Sequence, residues 1–400
     1  MLLKNLAAMI LLLSFGATSA EFEVSGKLAV EQRYFFDSAL YTEQLRHSQT
    51  SILAEPELYW GWNDGNDTVI FKPFYRIDSQ DDERTHGDIR ELSYIHAGED
   101  WELRTGIRKE FWGVTEFQHL VDVINQTDGV EDTDGEDKLG QLMLNLSLVK
   151  DWGIVDLYLL PGFRERTFAG ENGRLRAPIV VDENNVSYES SAKEQHLDFA
   201  MRWSHSIGDF DLGANWFHGT NREPILTPDQ DGDKFVLKQY YNQMDQLGLD
   251  VQATIDDWLY KFESIYRNTN DGNFWAIQAG FEYSFVGVFD TIADLGLLME
   301  YSWDSRGEGD LIDPGAGFQN DVFFGSRIAF NDMQSSEFLM GFSTDLDHSA
   351  TSFIIEANRR LGDSFKASID VRLFQSSDLI EQTYAIRNDD HVQLSFEWYF

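Results

Sequence analysis

The amino-acid sequence predicts an all-β chain that folds as a single transmembrane barrel of antiparallel, up-and-down strands. Apolar and polar residues alternate with a period of two in one segment after another, as in strands with one face in hydrocarbon and one in water. The connections between these segments tend to alternate between short and long, which fits short periplasmic turns and long outer loops. Beyond the first residues, no apolar run approaches the roughly eighteen residues of a membrane-spanning helix.

The last ten residues, His391–Phe400 (HVQLSFEWYF), show the alternation most clearly. Val392, Leu394 and Phe396 occupy one face, and polar side chains occupy the other. About ten residues suffice for a tilted strand to cross the bilayer core. The same segment would also suit the edge strand of a soluble sandwich, so the remainder of the chain has to decide between the two.

Residues 1–20 have the pattern of a secretory signal peptide. Lys4 supplies the positive charge, Leu6–Phe15 the apolar core, and Thr18-Ser19-Ala20 a cleavage site of small residues. We therefore expect an exported chain in which residues 21–400 form the barrel domain; a retained anchor is the alternative. The chain contains no cysteine, which excludes disulfides and thiolate chemistry.

About eighteen alternating segments (16–18) can be counted, and an even number is expected if both termini lie on one side of a membrane. Pro73 and Pro161 fall inside two of the segments, where proline interrupts a hydrogen-bonded ladder. The segments are 22–36, 49–62, 67–78, 87–98, 101–113, 139–150, 154–166, 195–207, 210–221, 239–255, 258–269, 273–287, 292–305, 320–331, 335–346, 351–361, 365–376 and 391–400.

The chain is strongly acidic, with a formal charge of −38 at pH 7. This charge excludes nucleic acid as a partner, because nucleic-acid binding requires a basic surface. Aromatic residues make up 14% of the chain. A membrane barrel accommodates both groups, with acidic residues in loops and lumen and aromatic residues in interfacial girdles.

The polar faces of the predicted strands carry charges of both signs, which would line a wide aqueous lumen. Such charges either create a transverse field that orients solutes or only pair across neighbouring strands, and the sequence leaves both interpretations open. The candidate lining residues on or beside strands are Arg76, Glu102, Arg104, Arg108, Glu110, Arg164, Arg202 and Arg372, with Asp122, Asn125 and Asp128 on the following loop.

The connection 115–138 differs from the other long loops because it begins with apolar residues. Phe117, Leu120, Val121 and Ile124 recur at near-helical spacing, and an acidic run follows at Asp128–Asp137. A loop with an apolar face is poorly suited to water. We expect it to fold inward and narrow the lumen, with a cap on the barrel rim as the alternative.

Two acidic clusters resemble fragments of calcium-binding loops. One contains Asp132 and Asp134, and the other contains Asp229, Asp231 and Asp233. Neither has the full spacing of an EF-hand loop with its closing glutamate. Calcium in these loops is a minor hypothesis beside solvated loop charge, and no other cofactor is predicted.

Two segments carry a resemblance to known families. The terminal strand resembles the closing strand of Gram-negative outer-membrane β-barrels, in which a terminal Phe, here Phe400, belongs to the signal read by the barrel-insertion machinery. Leu103–Asp128 resembles a segment of an uncharacterised porin-like barrel family. The matching positions are Arg104, Gly106, Trp112, Gly113, Ile124, Asn125 and Asp128, whereas Gln126 stands where that family usually has Pro.

The resemblance implies a porin-like channel in the outer membrane, in contact with lipid and lipopolysaccharide. Small polar solutes would pass passively through a mixed-charge lumen narrowed by loop 115–138, with a weak preference for cations because of the net acidity. A portal of an export or efflux system is the first alternative. A barrel hydrolase is the second, but no motif fixes a nucleophile, base and orienting group together, so we predict no enzymatic activity. The sequence gives neither the solute nor the oligomeric state.

Overall fold

The wall of the molecule is built from the alternating segments, and the computed structural model describes residues 20–44, 47–307, 317–379 and 381–400. The predicted signal peptide lies outside these residues, apart from Ala20. Four short 3₁₀ turns occur in the described chain, at Asn63–Gly65, Lys193–Gln195, Val288–Asp290 and Gln382–Ile386. None of the described helical elements is long and apolar enough to cross a membrane.

Strands account for most of the described chain. In chain order they are β1 (Glu21–Phe35), β2 (Ser48–Trp62), β3 (Asp67–Asp78), β4 (Gly87–Ala97), β5 (Trp101–Arg108), β6 (Gln141–Lys150), β7 (Gly153–Pro161), β8 (Val181–Tyr188), β9 (Leu197–Ile207), β10 (Phe210–Thr220), β11 (Ile225–Asp231), β12 (Lys234–Tyr241), β13 (Gln243–Ile255), β14 (Trp258–Thr269), β15 (Gly272–Phe285), β16 (Asp294–Asp304), β17 (Asn320–Ala329), β18 (Glu337–Asp345), β19 (Ala350–Leu361), β20 (Phe365–Ser376) and β21 (His391–Tyr399).

Eighteen of these strands form one closed antiparallel sheet. Each wall strand pairs with the next wall strand along the chain, and β1 pairs with β21 to complete the ring. At this seam Gly26 and Phe400 exchange two backbone hydrogen bonds of 3.1 Å. Closure leaves no unpaired edge in the sheet. The predicted all-β, up-and-down barrel of eighteen strands is confirmed.

Side-chain exposure follows the predicted period of two. On β1 the apolar side chains of Leu28 and Val30 are 40% and 49% exposed, whereas the intervening Ala29 is 3% exposed. Leu394 and Phe396 on β21 are likewise exposed. The apolar residues therefore face outward around the cylinder, which is the arrangement of barrels that span a membrane.

The prolines lie at positions that a ladder tolerates. Pro73 coincides with a shift of register between β3 and β4, and Pro161 is the last residue of β7. Other segment ends differ from the prediction because the chain leaves the wall early. β5 ends at Arg108, and the predicted segment 239–255 divides into β12 and β13 at Asn242.

A second, three-stranded sheet lies in the connections at the end of the barrel opposite the chain termini. β11 and β12 form an antiparallel hairpin, and β8 pairs with β12 in parallel. The sequence predicted plain loops at 167–194 and 222–238, because these strands show no regular alternation over enough residues. We call this element the small sheet (β8, β11 and β12).

Candidate functional site

The connection between β5 and β6, residues 109–140, contacts the inner face of the barrel, and we call it the inner loop. Gly113 adopts a φ of 142° where the chain turns away from the wall, a conformation that favours glycine. Asn125 joins the two stems of the loop. Its Nδ2 donates to the carbonyls of Arg108 and Leu139, both at 2.8 Å, and its Oδ1 accepts the Glu110 N–H at 2.8 Å.

Apolar residues of the inner loop pack on inward-facing residues of the wall. The loop contributes Trp112, Leu120, Val121, Val123 and Ile124, and the wall contributes Met143, Tyr158, Leu160, Ala200, Phe217, Met244, Ile265, Phe274 and Ala276. Val121 and Ile124 have no exposed surface. Burial of this face explains why the loop lies against β6–β15 rather than in water.

Two buried carboxylates of the wall accept backbone N–H groups of the inner loop. Glu263 on β14 accepts N–H groups from Val114 at 2.7 Å, Thr115 at 3.0 Å and Val121 at 3.2 Å. Glu300 on β16 accepts those of Glu116 and Phe117, both at 2.9 Å. A carboxylate that receives several N–H groups satisfies donors that would otherwise be buried without partners.

The tip of the inner loop also makes side-chain contacts with this wall. Glu116 pairs with Lys261 on β14 at 2.5 Å and with Arg327 on β17 at 2.9 Å. Its neighbour Phe117 stacks on Phe323 of β17, with ring centroids 4.8 Å apart. Together with the bonds to Glu300 on β16, these contacts fix the tip to three strands.

The acidic half of the inner loop contacts arginines elsewhere on the ring. Arg76 on β3 pairs with Glu131 of the loop and with Glu31 on β1, each at 2.5 Å. Asp132 lies 3.7 Å from Arg33 on β1. Arg372 on β20 holds Asp134 at 3.0 Å and lies 3.8 Å from Asp132. Together with the contacts on β14, β16 and β17, these pairs tie the loop to well-separated parts of the wall.

Asp128 is fully buried where the inner loop meets β4 and β7, at the end of the barrel opposite the chain termini. It accepts hydrogen bonds from Arg90 at 2.6 Å and Thr167 at 2.7 Å, and its Oδ2 lies 3.2 Å from His86 Nε2. Burial alone would raise the pKa of this carboxyl, but the bond to His86 and the charge of Arg90 hold that pKa well below its usual range.

His86, Asp128 and Glu131 have ligand atoms close enough together to hold a metal ion. Arg90 already donates to Asp128, and Arg76 donates to both oxygens of Glu131. A divalent cation would therefore have to displace two guanidinium groups, so this set fits an ion-pair network better than a metal site.

The two clusters considered for calcium lie on different elements of the structure, the inner loop and the small sheet. Asp132 and Asp134 face Arg372. Asp229 and Asp231 lie on β11, where Asn185 donates to Asp229 at 2.8 Å, and Asp233 lies in the β11–β12 turn. Calcium binding at either cluster stays a prediction.

Most of the remaining predicted residues form local ion pairs. Arg104 bonds Glu102 on β5, and Arg108 lies 2.7 Å from Glu110. Asp122 of the inner loop pairs with Lys138 at 3.2 Å. The first two pairs join residues two positions apart, and the third joins two residues of the inner loop, so none of them reaches the opposite wall.

Two predicted arginines have more specific surroundings. Arg202 on β9 binds Asp250 on β13 through two bonds of 2.7 Å, and its guanidinium lies 5.5 Å from the Trp112 ring. Arg164 lies beyond the end of β7 and bonds Asp88 at 2.6 Å and the Gly140 carbonyl at 2.9 Å. Arg164 therefore lies at the end of the barrel opposite the chain termini, away from the contacts between the inner loop and β14–β17.

Sequence reasoning did not single out Glu31, Arg90, Glu131, Glu263 or Glu300 as site residues. The alternation does predict that Glu263 and Glu300 face inward, because both lie on the polar face of alternating segments. No signal in the neighbouring sequence distinguishes a carboxylate that accepts hydrogen bonds from the inner loop from one that only faces water in the lumen.

Comparison with known proteins gives a fold. No family model and no curated protein matches the sequence, so the resemblance of segment 103–128 to one uncharacterised family has no match there. Among solved structures, Pseudomonas aeruginosa OpdQ aligns with a TM-score of 0.53 and 11% identity over 96% of this chain and 99% of that one. The chain has the fold of an outer-membrane porin barrel.

Two further porin-type structures align over almost their whole length. A loop-deletion mutant of OmpT, an outer membrane protein of Vibrio cholerae, gives a TM-score of 0.48 at 9% identity over 96% of this chain and 100% of that one. A mutant of the Rhodopseudomonas blastica porin gives 0.44 at 10% identity over 95% and 100%.

Proposed function

We propose that this chain is an outer-membrane channel through which small polar solutes diffuse passively, and that the inner loop narrows its lumen. The observation that carries the proposal is the attachment of the loop to opposite parts of the wall, through Glu263 and Glu300 on one side and Arg76 and Arg372 on the other. A segment held at both sides of a cylinder reduces its open cross-section.

The proposed path runs beside β18 and β19. Among the described residues, no hydrogen bond or ion pair joins the inner loop to either of these strands. Ser343 on β18 pairs with Ser352 on β19, and the neighbouring Phe342 faces outward and is 41% exposed. The two serines therefore face inward, so this part of the inner surface carries small polar side chains. The absence of such bonds in the described chain and these small polar side chains support a water-filled route between the loop and the two strands.

The charges beside this route support a weak preference for cations. Glu116, Asp134 and Glu136 of the inner loop keep 34%, 29% and 51% of their side chains exposed, and Glu356 on β19 keeps 45%. Arg33 and Arg76 are almost completely buried beneath the loop, whereas Arg327 beside Glu116 keeps 37% of its side chain exposed. The exposed excess is therefore negative, which raises the local concentration of cations.

Reconstitution in planar bilayers tests both parts of the proposal. The intact protein should form channels, and a variant lacking residues 116–137 should show a larger conductance because the lumen is no longer crossed. Unchanged conductance after deletion would contradict narrowing by the loop. A reversal potential that indicates anion preference under a salt gradient would contradict the charge argument.

The same experiment separates the channel from an export portal. A portal that opens only with partner proteins should show little conductance by itself, whereas the proposed channel conducts alone. Cleavage of the signal peptide, contact with lipopolysaccharide and lack of enzymatic activity stay predictions from the sequence.

A further inference from the structure

A cavity of about 340 Å³ lies between the stem of the inner loop and the small sheet. Its polar lining comes from the segment after β7, from β8 and β12, and from the 3₁₀ turn Lys193–Gln195. The charged and amide side chains of this lining are Arg164, Glu165, Arg166, Glu183, Glu194 and Gln239. The cavity is separate from the proposed path beside β18 and β19.

Arg166 brings an uncompensated positive charge to this cavity. Its Nε is buried and has no hydrogen-bond partner among the described residues, and its guanidinium lies 5.6 Å from the Phe168 ring. Burial lowers the pKa of this guanidinium, and the acidic groups that oppose the shift are Tyr241 and Glu223. Arg166 as a whole is only partly buried, but a desolvated guanidinium nitrogen without a hydrogen-bond acceptor is costly.

Gln239 supplies a second donor without a partner. Its side chain has no exposed surface, and its Nε2 lacks any acceptor in the described chain. Tyr241 fixes the orientation of the amide, because the tyrosine hydroxyl accepts the backbone N–H of Arg166 at 2.9 Å and donates its own proton to Gln239 Oε1. The NH₂ group is therefore the half of the amide that remains available.

We propose that this cavity binds a small oxyanion, a carboxylate or a phosphate, through the guanidinium of Arg166 and the amide NH₂ of Gln239. The guanidinium and the amide NH₂ group can donate hydrogen bonds but cannot accept them. The geometry of a guanidinium also matches the oxygen atoms of a planar carboxylate or a tetrahedral phosphate. An oxyanion would satisfy both groups at once. The proposal does not depend on whether the barrel conducts ions.

Two of the three acidic residues of the lining accept hydrogen bonds, whereas the third, Glu194, is exposed to solvent. Glu165 accepts the hydroxyl proton of Tyr188, and Glu183 accepts the Phe168 N–H at 2.6 Å. Burial, together with the charges of Glu83, Asp128 and Asp81, raises the pKa of Glu183 to about 7.

The protonation state of Glu183 makes the proposed anion binding depend on pH. Arg164 and Arg166 are the cationic groups of the lining, and Glu165, Glu183 and Glu194 are the acidic ones. Because protonation of Glu183 removes a negative charge from the cavity, anion affinity should increase as the pH falls from 8 to 6.

Isothermal titration calorimetry of the refolded barrel in detergent tests the proposal. Potassium phosphate and sodium succinate are titrated separately, with sodium chloride holding the ionic strength constant. We expect one saturable site per barrel. Arg166→Gln should weaken binding by about tenfold or more, whereas Lys234→Gln should leave it unchanged. Lys234 is an exposed residue of the small sheet that pairs with Glu171 at 2.8 Å, so this control removes one charge outside the cavity.

Each result of the calorimetric titrations either supports the anion site or overturns it. Binding of phosphate alone identifies a phosphate-bearing solute, binding of succinate alone identifies a carboxylate, and both results support the site. Absence of saturable binding to both anions overturns the proposal, as does equal affinity in Arg166→Gln. If that variant does not refold, Gln239→Leu provides the test, and undiminished binding in it refutes the assignment. Conductance is not a readout here, so failure of the channel proposal remains distinguishable.

Discussion

Glu263 holds Thr115 at two points, because its Oε1 accepts both the backbone N–H of Thr115 at 3.0 Å and its hydroxyl proton at 2.7 Å. The same carboxylate group receives N–H groups from Val114 and Val121. One wall residue therefore determines the position of the inner loop over eight residues of chain, Val114–Val121.

The first prediction concerns the substitution Glu263→Gln. The new NH₂ group would face backbone N–H donors, and each buried donor left without an acceptor costs about 1–3 kcal/mol. We expect the loop to fluctuate, which single-channel recordings would show as more frequent current interruptions. Glu282→Gln is the matched control, since Glu282 on β15 faces Arg327 and is not bonded to the loop in the described structure. Equal noise in both variants would contradict the anchoring role.

Arg76 gives a prediction about stability. Arg76→Gln leaves the buried Glu131 carboxylate without its guanidinium partner. It also removes a positive charge that neutralises Glu31. Loss of one member of such a buried pair costs about 3–5 kcal/mol. Urea unfolding in lipid vesicles should therefore show a lower free energy of unfolding for this variant. Adding Glu131→Gln should restore part of the loss, and purely additive effects of the two substitutions would argue against the pair.

Asp137 gives a prediction about pH. Partial desolvation by the surrounding protein and the charges of Glu131 and Asp134 raise the pKa of this carboxyl to about 6. The folded-state pKa exceeds the ordinary value, so protonation favours the fold, and this contribution appears as the pH falls below about 6. The same protonation removes one negative charge from the inner loop.

Cation preference should consequently decrease between pH 7 and pH 5. Reversal potentials measured under a salt gradient provide the measurement, and Asp137→Asn should remove this part of the pH dependence. A variant with the same pH profile as the intact protein would assign the titration to another group.

Gly106 gives a prediction about assembly. It has a φ of 126°, and a Cβ at this position would lie 2.1 Å from the Leu92 carbonyl oxygen on the neighbouring strand. Gly106→Ala should force β4 and β5 apart and reduce the folded fraction seen as heat-modifiable mobility on gels. Gly208→Ala is the control, because Gly208 lies in a turn with no atom within 4 Å of the added methyl group. That control should cost only about 1–2 kcal/mol.

The wall could be predicted from the sequence because its signal is local. Alternation along β21, for example, states directly that Leu394 and Phe396 face away from Gln393 and Ser395. The apolar start of the inner loop was also visible, since Val121 and Ile124 need a place away from water. The small sheet was missed because β8 contains mostly polar residues and pairs in parallel with a distant strand.

The partners of individual charges could not be predicted. The bonds from Glu263 to the loop join positions about 150 residues apart in the sequence, with separations of 149 and 148 residues for Val114 and Thr115. Which inward carboxylate meets which N–H group depends on where the loop lies across the barrel. Arg166 was overlooked for the same reason, because absence of a counter-ion is visible only once every neighbour is in place.

The position of Asp132 has a consequence for biogenesis. Its carboxylate lies near Arg33 on β1 and Arg372 on β20, the two strands that flank β21 in the ring. While the first and last strands are still apart, these arginines stand on opposite borders of an open ribbon, and a single carboxylate cannot reach both. Docking of the loop and joining of the ends thus form one cooperative event. A protease that cleaves the loop in the unfinished ribbon should lose access to it once the ends have met.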